Sequence, residues 1–138
     1  MTFNKTVIIL RGVSGNGKST FTEFLGYTSI ESPCICTADD FFMKDGVYKF
    51  DPSRLGAAHI ECQQKFKKAC FEGVSLVVCA NTNTRESDVN TYKKTAEEFG
   101  YVVFVMTLEN WHGKSNVHNV PEAALDKQRA QLMGSIKL

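Results

Sequence analysis

Apolar and polar positions along this chain fall into blocks whose period changes repeatedly. Lys5 to Leu10 is dense in β-branched apolar residues and runs into a glycine-rich stretch, the mark of a buried strand entering a turn. From Lys18 onward Phe21, Phe24 and Leu25 recur at helical spacing, so the glycine stretch opens directly into a helix. Cys34 to Ala38 reads as a second short strand that delivers Asp39 and Asp40 at its exit. Asp45-Gly46 is a turn signal, and Tyr48 and Phe50 alternate about Lys49, which predicts a small extended flap. Pro52 suits a first helical turn, after which Leu55, Ala58, Cys62, Phe66 and Ala69 mark one apolar face through to about Phe71. Val74 to Ala80 is a continuous apolar run that gives way to the polar loop Asn81-Thr82-Asn83-Thr84, with Thr84 placed to cap the next helix. Val89, Tyr92, Ala96 and Phe99 form the stripe of that helix, Gly100 closes it, and Tyr101 to Met106 is a fourth apolar strand. The stretch 110–120 is polar, and Pro121 restarts a helix with Ala124, Leu125 and Leu132 facing inward.

Strands alternating with helices predict an α/β fold of three layers around a mainly parallel sheet of four or five strands, because parallel neighbours need crossover helices. In such sheets ligands bind at the carboxyl ends of the strands, where Gly12, Asp39 and Asn81 all fall. The polar stretch 110–120 is a candidate lid.

Composition narrows the picture modestly. The 138 residues carry 16 basic and 15 acidic side chains, so bulk charge points to neither nucleic acid nor an acidic membrane. The apolar run near the N-terminus is far shorter than a signal core or the roughly 20 residues a bilayer requires, so no membrane association and an intracellular, cytoplasmic setting are expected. The five cysteines are odd in number and lack paired metal spacing, which favours free, packed thiols in a reducing compartment. His59, His112 and His118 are too scattered to form a ligand set.

The chemistry concentrates at Gly12-Val13-Ser14-Gly15-Asn16-Gly17-Lys18-Ser19, which fits G-x-x-x-x-G-K-[ST] at every fixed position. Gly12, Gly15 and Gly17 let the backbone of this loop, Ser14 and Asn16 included, turn its N–H groups towards phosphate oxygens, and the following helix adds its positive end. Lys18 is then the counter-charge for the β- and γ-phosphates of ATP, Ser19 offers a hydroxyl to Mg²⁺, and Thr20 reaches the α-phosphate. Asp39 is a candidate general base for an attacking hydroxyl, with Asp40 as rival and a capping role as the alternative for either. Lys114 in the lid, with Lys127 and Arg129 in the last helix, are candidates to counter charge on a transferred phosphoryl group, solvated surface charge being the alternative. Phe41, Phe42, Tyr48 and Phe50 are either core or a platform for a base.

In order and approximate spacing, the segments ILRGVSGNGKST, CTADDFF, GVYKFDPSRLGAAHIEC, VVCANTNT, FGYVV and SNVHNVP resemble the polynucleotide-kinase-like P-loop family over nearly the whole chain. The likeness is above all to stand-alone ATPases similar to the Nedd-four-binding-protein-two kinase domain. It implies a single P-loop kinase-like domain spanning 1–138 with its lid at about 110–120. It implies ATP-dependent phosphorylation of a nucleotide or nucleic-acid 5′-hydroxyl, Lys18 and Ser19 on ATP·Mg²⁺ and Asp39 as general base. Small domains of this kind look phage-encoded, which would put the protein in a host cytoplasm. Three positions depart from the family pattern. Phe42 stands where phage kinases carry an acceptor-binding arginine, Ala80 where an aspartate usually precedes N-T-N, and Ser115 where the lid usually carries an arginine. These departures leave room for a second reading, a nucleotide-binding module that acts by docking a protein partner.

Overall fold

The computed structural model describes residues 3–13, 18–29, 31–108 and 122–135. The first strand, β1 (Thr6–Arg11), is buried along its whole length and is followed by helix α1 (Lys18–Thr28). Then come β2 (Cys34–Cys36), a 3-10 turn over Ala38–Phe42, and the hairpin β3 (Met43–Lys44) and β4 (Val47–Tyr48). A 3-10 turn at Pro52–Arg54 leads into α2 (Leu55–Glu72), β5 (Leu76–Cys79), α3 (Glu86–Glu98), β6 (Val102–Thr107) and α4 (Glu122–Ser135).

The four long-range strands form one parallel sheet in the order β2-β5-β1-β6, at the lower end of the expected strand number. The central strands are dense with branched side chains, and Val7, Ile9, Leu10, Val77 and Val78 are fully buried. Each contributes about 1.5–3 kcal/mol relative to leaving it in water. Helices α2 and α3 cover one face, where Phe66 meets Tyr92 edge-on with ring centroids 4.9 Å apart. Leu25 of α1 packs on the opposite face with Ile8, Leu10, Leu76 and Val78.

Local chemistry sets the boundaries. Gly73 ends α2 in the left-handed region at φ 76°, which brings the N–H of Val74 to the carbonyl of Ala69 at 3.1 Å. The flap is a hairpin whose turn residues Asp45 and Gly46 both have positive φ, 51° and 75°, as a tight two-residue connection between twisted strands requires.

Three expectations are corrected. The second strand stops at Cys36 rather than Ala38, because Thr37 turns out of the sheet and caps the 3-10 turn by accepting the Asp39 N–H. Thr84 does not cap α3: Arg85 is the cap residue and shares reciprocal hydrogen bonds with Asp88, while the Thr84 hydroxyl donates to Gln131 of α4 at 2.7 Å. Leu55, expected on the inner face of α2, is exposed because the 3-10 turn before it offsets the first helical turn. All five cysteines are free, and Cys36, Cys62, Cys70 and Cys79 are buried core residues while Cys34 is half-buried.

Candidate functional site

The parallel register aligns three strand exits. Cys36 pairs with Cys79, and Cys79 with Ile9, so β2, β5 and β1 reach the same row together. Beyond that row the chain continues as Thr37-Ala38-Asp39, Ala80-Asn81 and Leu10-Arg11-Gly12. Backbone bonds hold the exits in step: Ala80 N–H donates to the Cys36 carbonyl and Gly12 N–H to the Thr82 carbonyl, both at 2.9 Å. The start of the glycine loop is thereby pinned to the polar loop after β5.

Lys18 opens α1, and its Nζ donates to the carbonyls of Gly12 at 2.8 Å and Val13 at 3.0 Å. These contacts fold the ammonium back over Gly12 and Val13, at the start of its own loop. Burial lowers its pKa from 10.5 to about 8, and the negative charge of Asp39 pulls the other way. The lysine and the aspartate, 21 residues apart in sequence, are therefore within electrostatic reach of each other.

The two neighbouring aspartates separate cleanly. Asp39 is half-buried, its N–H bonds to the Thr37 hydroxyl at 3.2 Å, and its Oδ1 accepts the Tyr48 hydroxyl at 3.1 Å. Asp40 points elsewhere, to an exposed ion pair with Lys65 of α2 at 3.7 Å. The Tyr48 phenol is pushed up to about 12 by burial first, then by the charge and hydrogen bond of Asp39, so it stays a neutral donor.

Side chains that the sequence reading did not assign support this arrangement. Asn81 is buried and accepts the Ala38 N–H on Oδ1 at 2.7 Å, while its Nδ2 faces the Tyr92 hydroxyl at 3.3 Å and the Cys62 sulfur at 3.4 Å. Asn83 adopts φ 46°, a region that asparagine tolerates better than branched residues, and donates to the Leu10 carbonyl at 2.7 Å. Arg11, buried to 7% exposure, reaches the carbonyls of Asn83 at 2.8 Å and Thr84 at 3.2 Å and the Ser135 hydroxyl at 2.5 Å. One guanidinium thus ties the residue before the glycine loop to the end of α4. The sequence signals for these three were their position at strand exits and their place in the segments ILRGVSGNGKST and VVCANTNT, neither of which assigned their side chains a role.

Other candidates fare differently. Ser19 and Thr20 lie exposed in the first turn of α1. Ser14, Gly15, Asn16, Gly17, the lid at 110–120, Lys114, Ser115, His112 and His118 lie outside the described residues. Arg129 is engaged by Glu122 at 3.2 Å and Asp126 at 3.0 Å on its own helix, and Lys127 is exposed. Phe42 is core at 3% exposure, so the position that carries an arginine in phage kinases is closed to solvent here. Phe50 is exposed and stacks nearly parallel to Tyr48, with an interplanar angle of 10°. Among the described residues no cluster of three or more His, Cys, Asp or Glu is arranged to hold a metal, and no helix is long and apolar enough to cross a membrane.

A parallel sheet with a lysine-bearing glycine loop leaving its central strand and a carboxylate at a nearby strand exit defines the class: a P-loop protein with a kinase-like α/β fold. Within that class the chain is similar to human NEDD4-binding protein 2, with 29% identity over 131 residues, covering 88% of this chain and 7% of that protein. The chain thus corresponds to a small part of that relative. No family model matches. The structure resembles that of the Pnkp1/Rnl/Hen1 complex, with a TM-score of 0.61 and 19% identity, covering 91% of this chain and 39% of the other. It also resembles the tunicamycin resistance protein of Deinococcus radiodurans, with a TM-score of 0.57, 13% identity and coverage of 94% and 81%. The APS kinase CysC of Mycobacterium tuberculosis, a Cys556Ala mutant, gives a TM-score of 0.53, 10% identity and coverage of 94% and 98%. The three structural neighbours share the α/β fold of this chain.

Proposed function

We propose that this chain is an ATP-dependent phosphotransferase that moves the γ-phosphoryl group of ATP to a hydroxyl of a nucleotide or nucleic-acid 5′ end. The observation that carries the reading is the alignment of the β1 and β2 exits at one end of the sheet, which leaves Lys18 after the glycine loop within electrostatic reach of Asp39, a carboxylate held by Tyr48. ATP with its Mg²⁺ supplies the phosphoryl group and part of the charge neutralisation. The donor set fits that cargo: an ammonium fixed by two carbonyls at the loop entrance and an exposed Ser19 hydroxyl beside it. Lys18 draws the phosphates onto the loop amides of Ser14, Gly15, Asn16 and Gly17, Ser19 offers an oxygen ligand to the metal, and Thr20 supports the α-phosphate. Asp39 accepts the proton of the acceptor hydroxyl as it attacks, and Lys114 adds positive charge from the lid. Lys18→Ala is expected to abolish nucleotide binding, and Asp39→Asn to keep binding and stop transfer. Labelled γ-phosphate offered with oligonucleotide, nucleoside and nucleoside-monophosphate acceptors tests this. Undiminished transfer by Asp39→Asn would refute the base assignment.

One observation favours a second reading. Ala80 packs against the apolar cluster of Ile8, Leu10 and Val78 and brings no carboxylate to the β5 exit. A nucleotide-binding module that docks a protein partner needs Lys18 but not Asp39. Saturable ATP binding with no label on any acceptor selects this reading over the first.

A further inference from the structure

The hydrogen bonds around the 3-10 turn at Ala38–Phe42 converge on Asp39 from two directions. From beneath, the Ala38 N–H can only donate, so the atom 2.7 Å from it must be the oxygen of Asn81. That fixes the amide of Asn81 with its nitrogen towards Tyr92 and Cys62, both anchored in the α2–α3 core. Tyr92 adds a bond of its own to the Cys62 sulfur at 3.3 Å. From above, the flap is tied to the end of the same turn by the Lys49 N–H on the Phe42 carbonyl at 2.8 Å, and Tyr48 reaches back from it to Oδ1 of Asp39. Phe42 fills the space between, 6.3 Å from the Tyr48 ring and 5.1 Å from that of Phe50.

We propose that Asn81 and Tyr48 are positioning residues for Asp39, Asn81 fixing the backbone at Ala38 and Tyr48 fixing the carboxylate. The proposal rests on the reading of Asp39 as the base. A proton acceptor must sit within hydrogen-bond reach of the attacking hydroxyl, and small misplacements of such a group cost rate far more than they cost stability. Neither residue belongs to the glycine loop, so loss of either lowers turnover without loosening the nucleotide. Asn81 differs from an ordinary buried amide because its oxygen serves the residue next to Asp39, while its nitrogen serves the rigid core.

The test compares Tyr48→Phe, Asn81→Leu and Asn81→Asp with wild type and Asp39→Asn. Transfer is normalised to bound nucleotide so that a smaller folded fraction does not register as slower chemistry. Tyr48→Phe, at a partly exposed site where the ring is retained, is expected to lower kcat about tenfold with KM for ATP unchanged, the effect of one hydrogen bond to a charged group. Asn81→Leu is expected to cost about ten- to a hundredfold. Asn81→Asp keeps an oxygen for the Ala38 N–H, and Tyr92 and Cys62 can turn to donate, so it recovers most of that loss. A second readout needs no turnover: in Asp39→Asn the Tyr48 phenol, identified by subtracting the spectrum of Tyr48→Phe, ionises at lower pH than in wild type. Wild-type kcat in both Tyr48→Phe and Asn81→Leu, alongside an inactive Asp39→Asn, overturns the positioning roles and leaves the base assignment standing. Full transfer by Asp39→Asn removes the base assignment itself. An equal loss in Asn81→Leu and Asn81→Asp reduces Asn81 to a packing residue and overturns its part of the proposal.

Discussion

The two faces of the sheet are built differently, and the site straddles both. On one, Val7, Ile9, Val77, Cys36 and Cys79 meet Ala58, Cys62 and Phe66 of α2 and Val89, Tyr92 and Ala96 of α3, all buried. On the other, Leu25 is the one buried side chain that α1 contributes among the described residues. Phe24 and Tyr27 of the same helix remain 54% and 84% exposed. The register places Val102 and Phe104 of β6 beside Thr6 and Ile8 on this thinner face, and they too are more than half exposed. The grip on Asp39 is rooted in the thick face through Asn81, Cys62 and Tyr92, whereas Lys18 rides on the helix of the thin one. On the proposed function, the acceptor side of the site is thus preformed, and the nucleotide side depends on few apolar contacts.

The sharpest way to break this contrast is to hollow each face in turn. Phe66→Ala removes a ring with 1% exposure from a fully enclosed position and is expected to cost about 3–5 kcal/mol of unfolding free energy. The folded protein should nevertheless bind Mg-ATP as wild type does. Leu25→Ala is expected to fall near the lower end of the roughly 2–5 kcal/mol range, because a thinly covered site can collapse. It should also weaken nucleotide affinity by loosening α1. Denaturant unfolding gives the first quantity and calorimetric titration the second. An equal loss of affinity in both variants would mean that the two faces act as one unit.

Nucleotide should supply what the thin face lacks. Mg-ATP at about a hundred times its dissociation constant stabilises the folded state by about 2.7 kcal/mol. If the contrast holds, amide-exchange protection rises mainly over Ser19–Tyr27, while α2 and α3, already at the level of global unfolding, change little below that level. Uniform protection across the three helices would instead indicate that α1 is as firmly held as the others before nucleotide arrives.

Much of this arrangement was legible in the order of residues. Continuous apolar runs marked β1 and β5, helical stripes marked α2 and α3, and the G-x-x-x-x-G-K-S signature placed Lys18 at a strand-to-helix turn. What stayed hidden depended on tertiary partners. Asp39 and Asp40 are chemically identical neighbours, and only the placement of Tyr48 and Lys65 separates the half-buried carboxylate from the surface ion pair. Thr84 carries a capping side chain just before a helix, but Gln131, 47 positions away, claims it. Arg11 fell just beyond the strand read from Lys5 to Leu10 and drew no assignment, since nothing local announces that its guanidinium will be enclosed by the carbonyls of a loop more than seventy residues on. The apolar strand β6 gave no sign in its composition that four of its six residues would be exposed, because edge or centre is a property of sheet order.

The smallest effect separates the two roles of Lys18, as a buried charge in the empty protein and as the partner of phosphate. With its pKa lowered to about 8, the ammonium is mostly charged at pH 7 and mostly neutral at pH 9. Phosphate binding needs the charged form, so nucleotide affinity should be flat below about pH 8 and weaken by up to about tenfold per pH unit above it. Stability of the nucleotide-free protein runs the other way. Between about 8 and the ordinary value of 10.5 the unfolded chain holds a proton that the folded chain has released, so the contribution of Lys18 to unfolding free energy rises with pH across that window. Below about 8 both states are protonated and the contribution is constant. Lys18→Met should remove the stability slope. Calorimetry at pH 9 in buffers of different ionisation enthalpy should show proton uptake on binding to wild type, since the phosphates restore the ammonium. Binding at pH 9 without uptake would mean that Lys18 keeps its proton in the empty site, and that Asp39 holds it there more strongly than burial opposes it.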